Sequence, residues 1–195
     1  MIWEMYQIWK NRLIRKRTEY IVLTQAINVR EDRYKHFNPL LLKSNYTYTW
    51  GEWQKYICQD LKHRELPFHY YVELLDDDYV IYQGLGEEHP SYFINDLVTA
   101  GVIKSEYKHA IVIGLGENYN RDIPELRMYE HLCSKCISSL MKRYDLPKER
   151  VVYFDDILHD NWKEMLGSSD LTYNIETTEL FDTNILQMSI NKYKF

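Results

Sequence analysis

The chain is short of cysteine, glycine and proline. Three Cys in 195 residues are an odd count and too few for the disulfide frameworks of small secreted domains. They read as reduced thiols of a cytosolic assembly site. Seven Gly and five Pro exclude collagen-like and low-complexity sequence. No apolar run approaches the ~20 residues of a membrane-crossing helix. The first residues are apolar and then basic, the reverse of a signal peptide. Charge of one sign is not in large excess. Twenty-four Lys and Arg against 29 Asp and Glu give a formal net charge of −5, which lends a nucleic-acid partner no support. What remains is 45% hydrophobic and 27% charged, the balance of an ordinary soluble domain. The surplus lies in tyrosine, with 18 Tyr against six Phe and five Trp. Tyr has an apolar body and a polar tip, which suits half-buried surfaces and interfaces.

Periodicity divides the chain into elements. Ile2, Met5, Tyr6, Trp9 and Leu13 predict an amphipathic helix over 1–17, with Lys10, Arg12, Arg15, Lys16 and Arg17 at its C-terminal end, where the helix dipole favours cations. Tyr20 to Leu23 is a short apolar strand ending at Thr24 and Gln25. Trp50 to Leu61 predicts a second helix. Phe68 to Leu75 and Tyr79 to Gly84 form a hairpin around Asp76-Asp77-Asp78. A short helix is expected within 94–102. His109 to Gly114 is a near-continuous apolar run, as expected of a central strand. Pro124 opens a long helix that ends at Asp145-Leu146-Pro147, Arg150 to Phe154 is another strand, and a short helix follows near 159–166. From Gly167 the chain turns polar without a clear period and reads as an extension. The expected class is α/β, a small mixed sheet flanked by helices. Its units are an N-terminal helix (1–17), a central domain (18–167) and a C-terminal extension (168–195).

The stretch from Phe68 to Ile157 resembles the type 2 N-acetylmuramoyl-L-alanine amidases, which include the peptidoglycan recognition proteins and the amidase-type phage lysozymes. Phe68-His69-Tyr70-Tyr71-Val72 with Tyr79-Val80-Ile81-Tyr82-Gln83-Gly84 is similar to the family's hairpin GYHFxIxxDGxIYQGR. His89-Pro90 resembles its HA, and His109-Ala110-Ile111-Val112-Ile113-Gly114 resembles its SIGIxLxG. Tyr144-Asp145-Leu146-Pro147-Lys148-Glu149-Arg150-Val151 resembles its YxIPxxRV. The resemblance implies the family's scaffold. Its enzymes hold a zinc with two His and a Cys or Asp, and a Tyr assists. At the matching places this chain has Thr24 for the first His, Phe154 for the second, Trp162 near the third ligand, with Asp160 the only ligand type close by, and Phe68 for the Tyr. A water-activating zinc needs several good ligands at one point. The expectation is therefore a scaffold without the activity, with no catalytic residues, no bound metal and no cofactor.

Other constellations carry bland readings. Cys133-x-x-Cys136 reads as two small apolar residues on a buried helix face. His69, His89 and His109 read as structural or surface histidines. Asp76 to Asp78 reads as a hairpin tip. Asp155 and Asp156, if on a strand, point to opposite faces. Gly114-Leu115-Gly116-Glu117-Asn118 lacks the third Gly and the Lys of a phosphate loop. The ends are more informative. Trp3, Tyr6 and Trp9 form an aromatic set of the kind that anchors interfaces. Tyr173, Leu180 and Phe181 give the polar tail apolar points, which either bind a partner or pack back on the domain. The expected role is a non-catalytic, structural or adaptor component of a phage virion, in its tail or baseplate. It would be made in the bacterial cytoplasm and contact other protein subunits. The alternative is a peptidoglycan-binding or residual amidase module.

Overall fold

The computed structural model describes residues 18–25, 66–75, 78–115, 130–171, 173, 175 and 183–193. Five strands form one sheet: β1 Ile21–Gln25, β2 Tyr70–Leu75, β3 Asp78–Gln83, β4 Ile111–Leu115 and β5 Val151–Tyr153. Their order is β3-β2-β4-β1-β5. Strand β4 runs parallel to β1 and β2, and β5 parallel to β1, while β3 returns antiparallel on β2. The hairpin connection forces that reversal, whereas parallel neighbours need long crossovers. The α/β class with a mixed sheet and flanking helices is as expected. The expected helices over 1–17 and 50–61, and the start of the long helix at Pro124, lie outside the described residues.

Alternation along the strands builds two cores. Val22, Val112 and Tyr71 face one side, where α1 (Tyr92–Thr99) adds Phe93, Ile94 and Leu97. Ile21, Leu23, Ile111, Ile113 and Tyr153 face the other, covered by Leu140 of α2 (Ser138–Tyr144) and by Leu186 and Ile190 of α4 (Thr183–Lys192). Helix α3 (Trp162–Gly167) lies between them in sequence. Strands β1 and β4 read as continuous apolar runs because both faces are covered. Each large side chain buried there contributes about 1.5–3 kcal/mol.

Several boundaries differ from the sequence reading. Helix α1 starts at Tyr92 and ends at Thr99, where Gly101 takes a φ of 74° that favours glycine. His109 closes a 3-10 turn over Ser105–His109 instead of starting β4. Asp155 and Asp156 lie in a 3-10 turn, not on a strand, so the alternation argument does not apply to them. Ahead of α2 the helix is π-like over Cys133–Ile137, and the Ser138 hydroxyl donates to the Cys133 carbonyl at 2.6 Å. Asp145 ends α2 in the left-handed region at φ 52°, a conformation that Asp tolerates better than most residues.

The largest difference is in the tail. Residues beyond 167 are not merely appended to the domain. Tyr173 and Ile175 are buried in the first core, and Leu186 and Ile190 in the second. The Gln187 amide donates to the Lys148 carbonyl at 3.1 Å, and the Lys192 ammonium meets Glu130 at 2.5 Å. Leu186 and Ile190 stand four residues apart on α4, so one face of that helix meets the second core.

Candidate functional site

In open α/β sheets, ligand sites gather beyond the carboxyl ends of the parallel strands. Thr24 stands at that end of β1. Its register partner is Gly114 of β4, which in turn pairs with Tyr71 of β2. Phe68, just before β2, lays its ring over Gly114. A Cβ at position 114 would stand 2.8 Å from that ring. This close approach is why a glycine sits inside an otherwise apolar strand. Phe154 follows β5 directly, and its N–H donates to the Leu23 carbonyl at 2.8 Å. The fold thus gathers three of the four singled-out positions, Thr24, Phe68 and Phe154, at one end of the sheet. All three are buried.

The surroundings are packed and aromatic. Phe93 stacks on Phe154 with centroids 5.5 Å apart and meets Tyr173 edge-on at 5.1 Å. Such pairs add about 0.5–1.5 kcal/mol beyond area burial. The Tyr173 hydroxyl donates to the Asp96 carboxylate at 2.8 Å, so the tail is pinned to α1. Tyr173, expected at a partner surface, lies inside this cluster. Trp162, the fourth position, is half-buried and packs at its rim, with the Lys163 ammonium 5.4 Å from its ring centroid. Trp3, Tyr6, Trp9, Leu180 and Phe181 lie outside the described residues.

Thr24 and His69 are engaged by hydrogen bonds. The Thr24 hydroxyl donates to the Gln25 carbonyl at 3.2 Å. His69 is fully buried. Its Nδ1 accepts the Val112 N–H at 2.9 Å, so the proton sits on Nε2, which donates to the His89 carbonyl at 2.8 Å. The His69 N–H also donates to the Val112 carbonyl at 2.9 Å. The imidazole therefore extends the β2–β4 ladder and ties it to the loop after β3. This matches the structural reading of that histidine. Glu73 is 7% exposed. Burial, then the hydrogen bond and charge of Glu73, raise the pKa of Tyr82. Among the described residues, no group of three or more His, Cys, Asp or Glu is placed to hold a metal ion.

A second polar centre was not legible in the sequence. Glu87, in the loop after β3, accepts hydrogen bonds from Tyr70 of β2 and Tyr144 of α2, and Arg143 meets it at 2.5 Å. Its side chain is 12% exposed. Burial alone would raise its pKa, but bonds from Tyr144, Tyr70 and Arg143 outweigh burial and hold it below the ordinary value. Burial and the bond to Glu87 push Tyr70 up. This cluster clamps the loop after β3 to α2 across more than fifty residues of sequence, a separation that no local pattern reveals. Cys133 and Cys136 are buried, and burial pushes both thiols up to about 12, which suits apolar packing and not thiolate chemistry.

No protein-family model matches the chain. A search of curated proteins found no match. Among solved structures, the chain is similar to that of a PlyL mutant, with a TM-score of 0.40 and 14% identity over 80% of each chain. That likeness is distant.

Proposed function

We propose that this chain is a non-catalytic, amidase-like scaffold serving as a structural or adaptor component of a larger assembly, a phage virion tail or baseplate. The observation that carries the first half is the state of the strand-end region. Where the resembled family keeps zinc ligands and a tyrosine hydroxyl, this chain has Thr24, Phe68, Phe154 and Trp162, and two of those aromatics are core side chains. Zinc chemistry needs an open position for water next to converging N, S or O ligands. A Phe ring resting on Gly114 and a second stacked on Phe93 fill space with carbon instead. The adaptor half rests on the aromatic and apolar content of the two ends, with Trp3, Tyr6 and Trp9 at one and Leu180 and Phe181 at the other.

Two measurements test the reading. The protein, expressed with added zinc, is assayed for metal content and for release of stem peptides from purified peptidoglycan. The expected result is sub-stoichiometric zinc and no release, and one zinc per chain with peptide release would overturn it. Sedimentation with purified cell wall addresses the alternative. Retention on the wall would favour a peptidoglycan-binding module, whereas co-purification with virion particles supports the adaptor.

A further inference from the structure

Helix α4 covers part of the second core, where Leu186 and Ile190 are buried, and packs against the π-like turn Cys133–Ile137. Its fit there is imperfect in two respects. Ser189 lies on the same face, three residues from Leu186. It is 3% exposed, and its hydroxyl finds no hydrogen-bond partner among the described residues. The Gln187 side-chain carbonyl is likewise buried without a partner among them. Polar groups withdrawn from water and left unpaired oppose docking. A groove of about 570 Å³ also runs between α2 and α4, with Ile137 and Met141 on one side and Ile190 and Tyr193 on the other. Side chains that border open space forfeit the contacts that close packing supplies.

Several polar ties of α4 lie near the surface. The Gln187 amide donates to the Lys148 carbonyl. Lys192 meets Glu130, and the Lys148 ammonium donates to Asn191 at 3.4 Å, both between exposed or half-exposed side chains. Exposed pairs of this kind add little. Strands β1 and β4 differ, since each has a hydrogen-bonded neighbour on both sides and apolar cover on both faces. Ten residues also make α4 too short to persist as an isolated helix in water, so it keeps its form only while docked. Upstream, Tyr173 and Ile175 are fixed separately in the first core, with the Tyr173 hydroxyl on Asp96.

We infer that α4 is a latch, which opens from the second core and melts as a unit while the five-stranded sheet and the Tyr173 contact stay in place. Local openings of this kind belong to elements with thin packing and exposed polar ties. Opening uncovers the apolar surface beneath Leu186 and Ile190, which the closed chain withholds from solvent. The latch is independent of whether the protein works as an adaptor, and zinc or cell-wall binding does not bear on it.

The test is native-state amide hydrogen exchange on the full chain, beside its Ser189→Ala and Val22→Ala variants. Val22 is buried in the first core, on the sheet face opposite α4, so its truncation weakens the sheet without touching the latch. In the parent chain the α4 amides should be protected, yet exchange at least tenfold faster than those of β1 and β4. Ser189→Ala removes the unpaired hydroxyl and should slow α4 exchange at least fivefold, more than the about two- to threefold that the helix preference of Ala over Ser supplies. Val22→Ala should speed the strands at least tenfold and leave α4 unchanged. Amides of α4 as slow as the strands, or with no protection at all, would overturn the inference. So would α4 exchange that rises in step with the strands in Val22→Ala, or that Ser189→Ala fails to slow. If Val22→Ala does not fold, the parent chain and Ser189→Ala decide the matter.

Discussion

Replacing Gly114 with Ala tests the packing of the strand-end region directly. The new methyl would stand 2.8 Å from Cδ1 and Cγ of Phe68 and 3.0 Å from Cδ2. These are ring atoms of a side chain that is 1% exposed, so the ring cannot swing into solvent. Overpacking of this kind costs about 1–3 kcal/mol. A Gly-to-Ala change inside a strand returns about 0.5–1 kcal/mol of backbone entropy. The expected net loss is therefore about 1–2 kcal/mol. Phe68→Leu removes the ring that causes the clash, at about 1–2 kcal/mol of its own, between a conservative swap and full truncation. In that background Gly114→Ala should cost little or become favourable. The two changes should thus couple by at least about 1 kcal/mol. The assay is urea unfolding of the four proteins of the cycle, reading midpoints at constant slope. Costs that add to within about 0.5 kcal/mol would refute the contact, and with it the account of why a glycine stands in β4.

Three further outcomes follow from the same geometry. His69→Asn keeps an acceptor for the buried Val112 N–H, whereas His69→Leu leaves it unsatisfied at about 1–3 kcal/mol, so denaturant unfolding should rank Asn well above Leu, and equal losses would contradict the hydrogen-bonding role. Glu87 has a folded pKa below its ordinary 4.5, so its contribution is complete above that value and is lost as pH falls through the lower folded value. Glu87→Gln should accordingly flatten the stability profile below about pH 4.5, and a parallel profile in both proteins would count against the clamp. With thiols pushed up to about 12, Cys133 and Cys136 should resist alkylation at pH 8 in a Cys58→Ser background until the protein is unfolded, and rapid native labelling of both would show the helix face to be open.

What the sequence determined was the strand plan. The apolar runs at 20–23 and 109–114 could only be satisfied with cover on both faces, and the hairpin at 68–84 announced its own turn, so β1 to β5 fall where local pattern put them, within a few residues. The positions Thr24, Phe68, Phe154 and Trp162 were also singled out from the sequence, because the resemblance to a family rests on short local strings. Tertiary structure decided the rest. Only the fold shows that Phe68 rests on Gly114, 46 positions away, and that Phe154, Phe93 and Tyr173 stack into one cluster. Only the fold joins Glu87 to Tyr70, Arg143 and Tyr144. The tail was decided in the same way: the sequence left partner binding and packing back on the domain both open, and the fold buries four of its residues. Leu186 and Ile190 stand one helical turn apart and Tyr173 and Ile175 two residues apart, but so short a pattern does not say which core a side chain reaches, because burial is a property of where a side chain arrives. The tyrosines follow suit. Sequence counts eighteen of them, but tertiary packing decides that Tyr71 and Tyr153 are core side chains and that Tyr70 and Tyr144 serve a half-buried carboxylate.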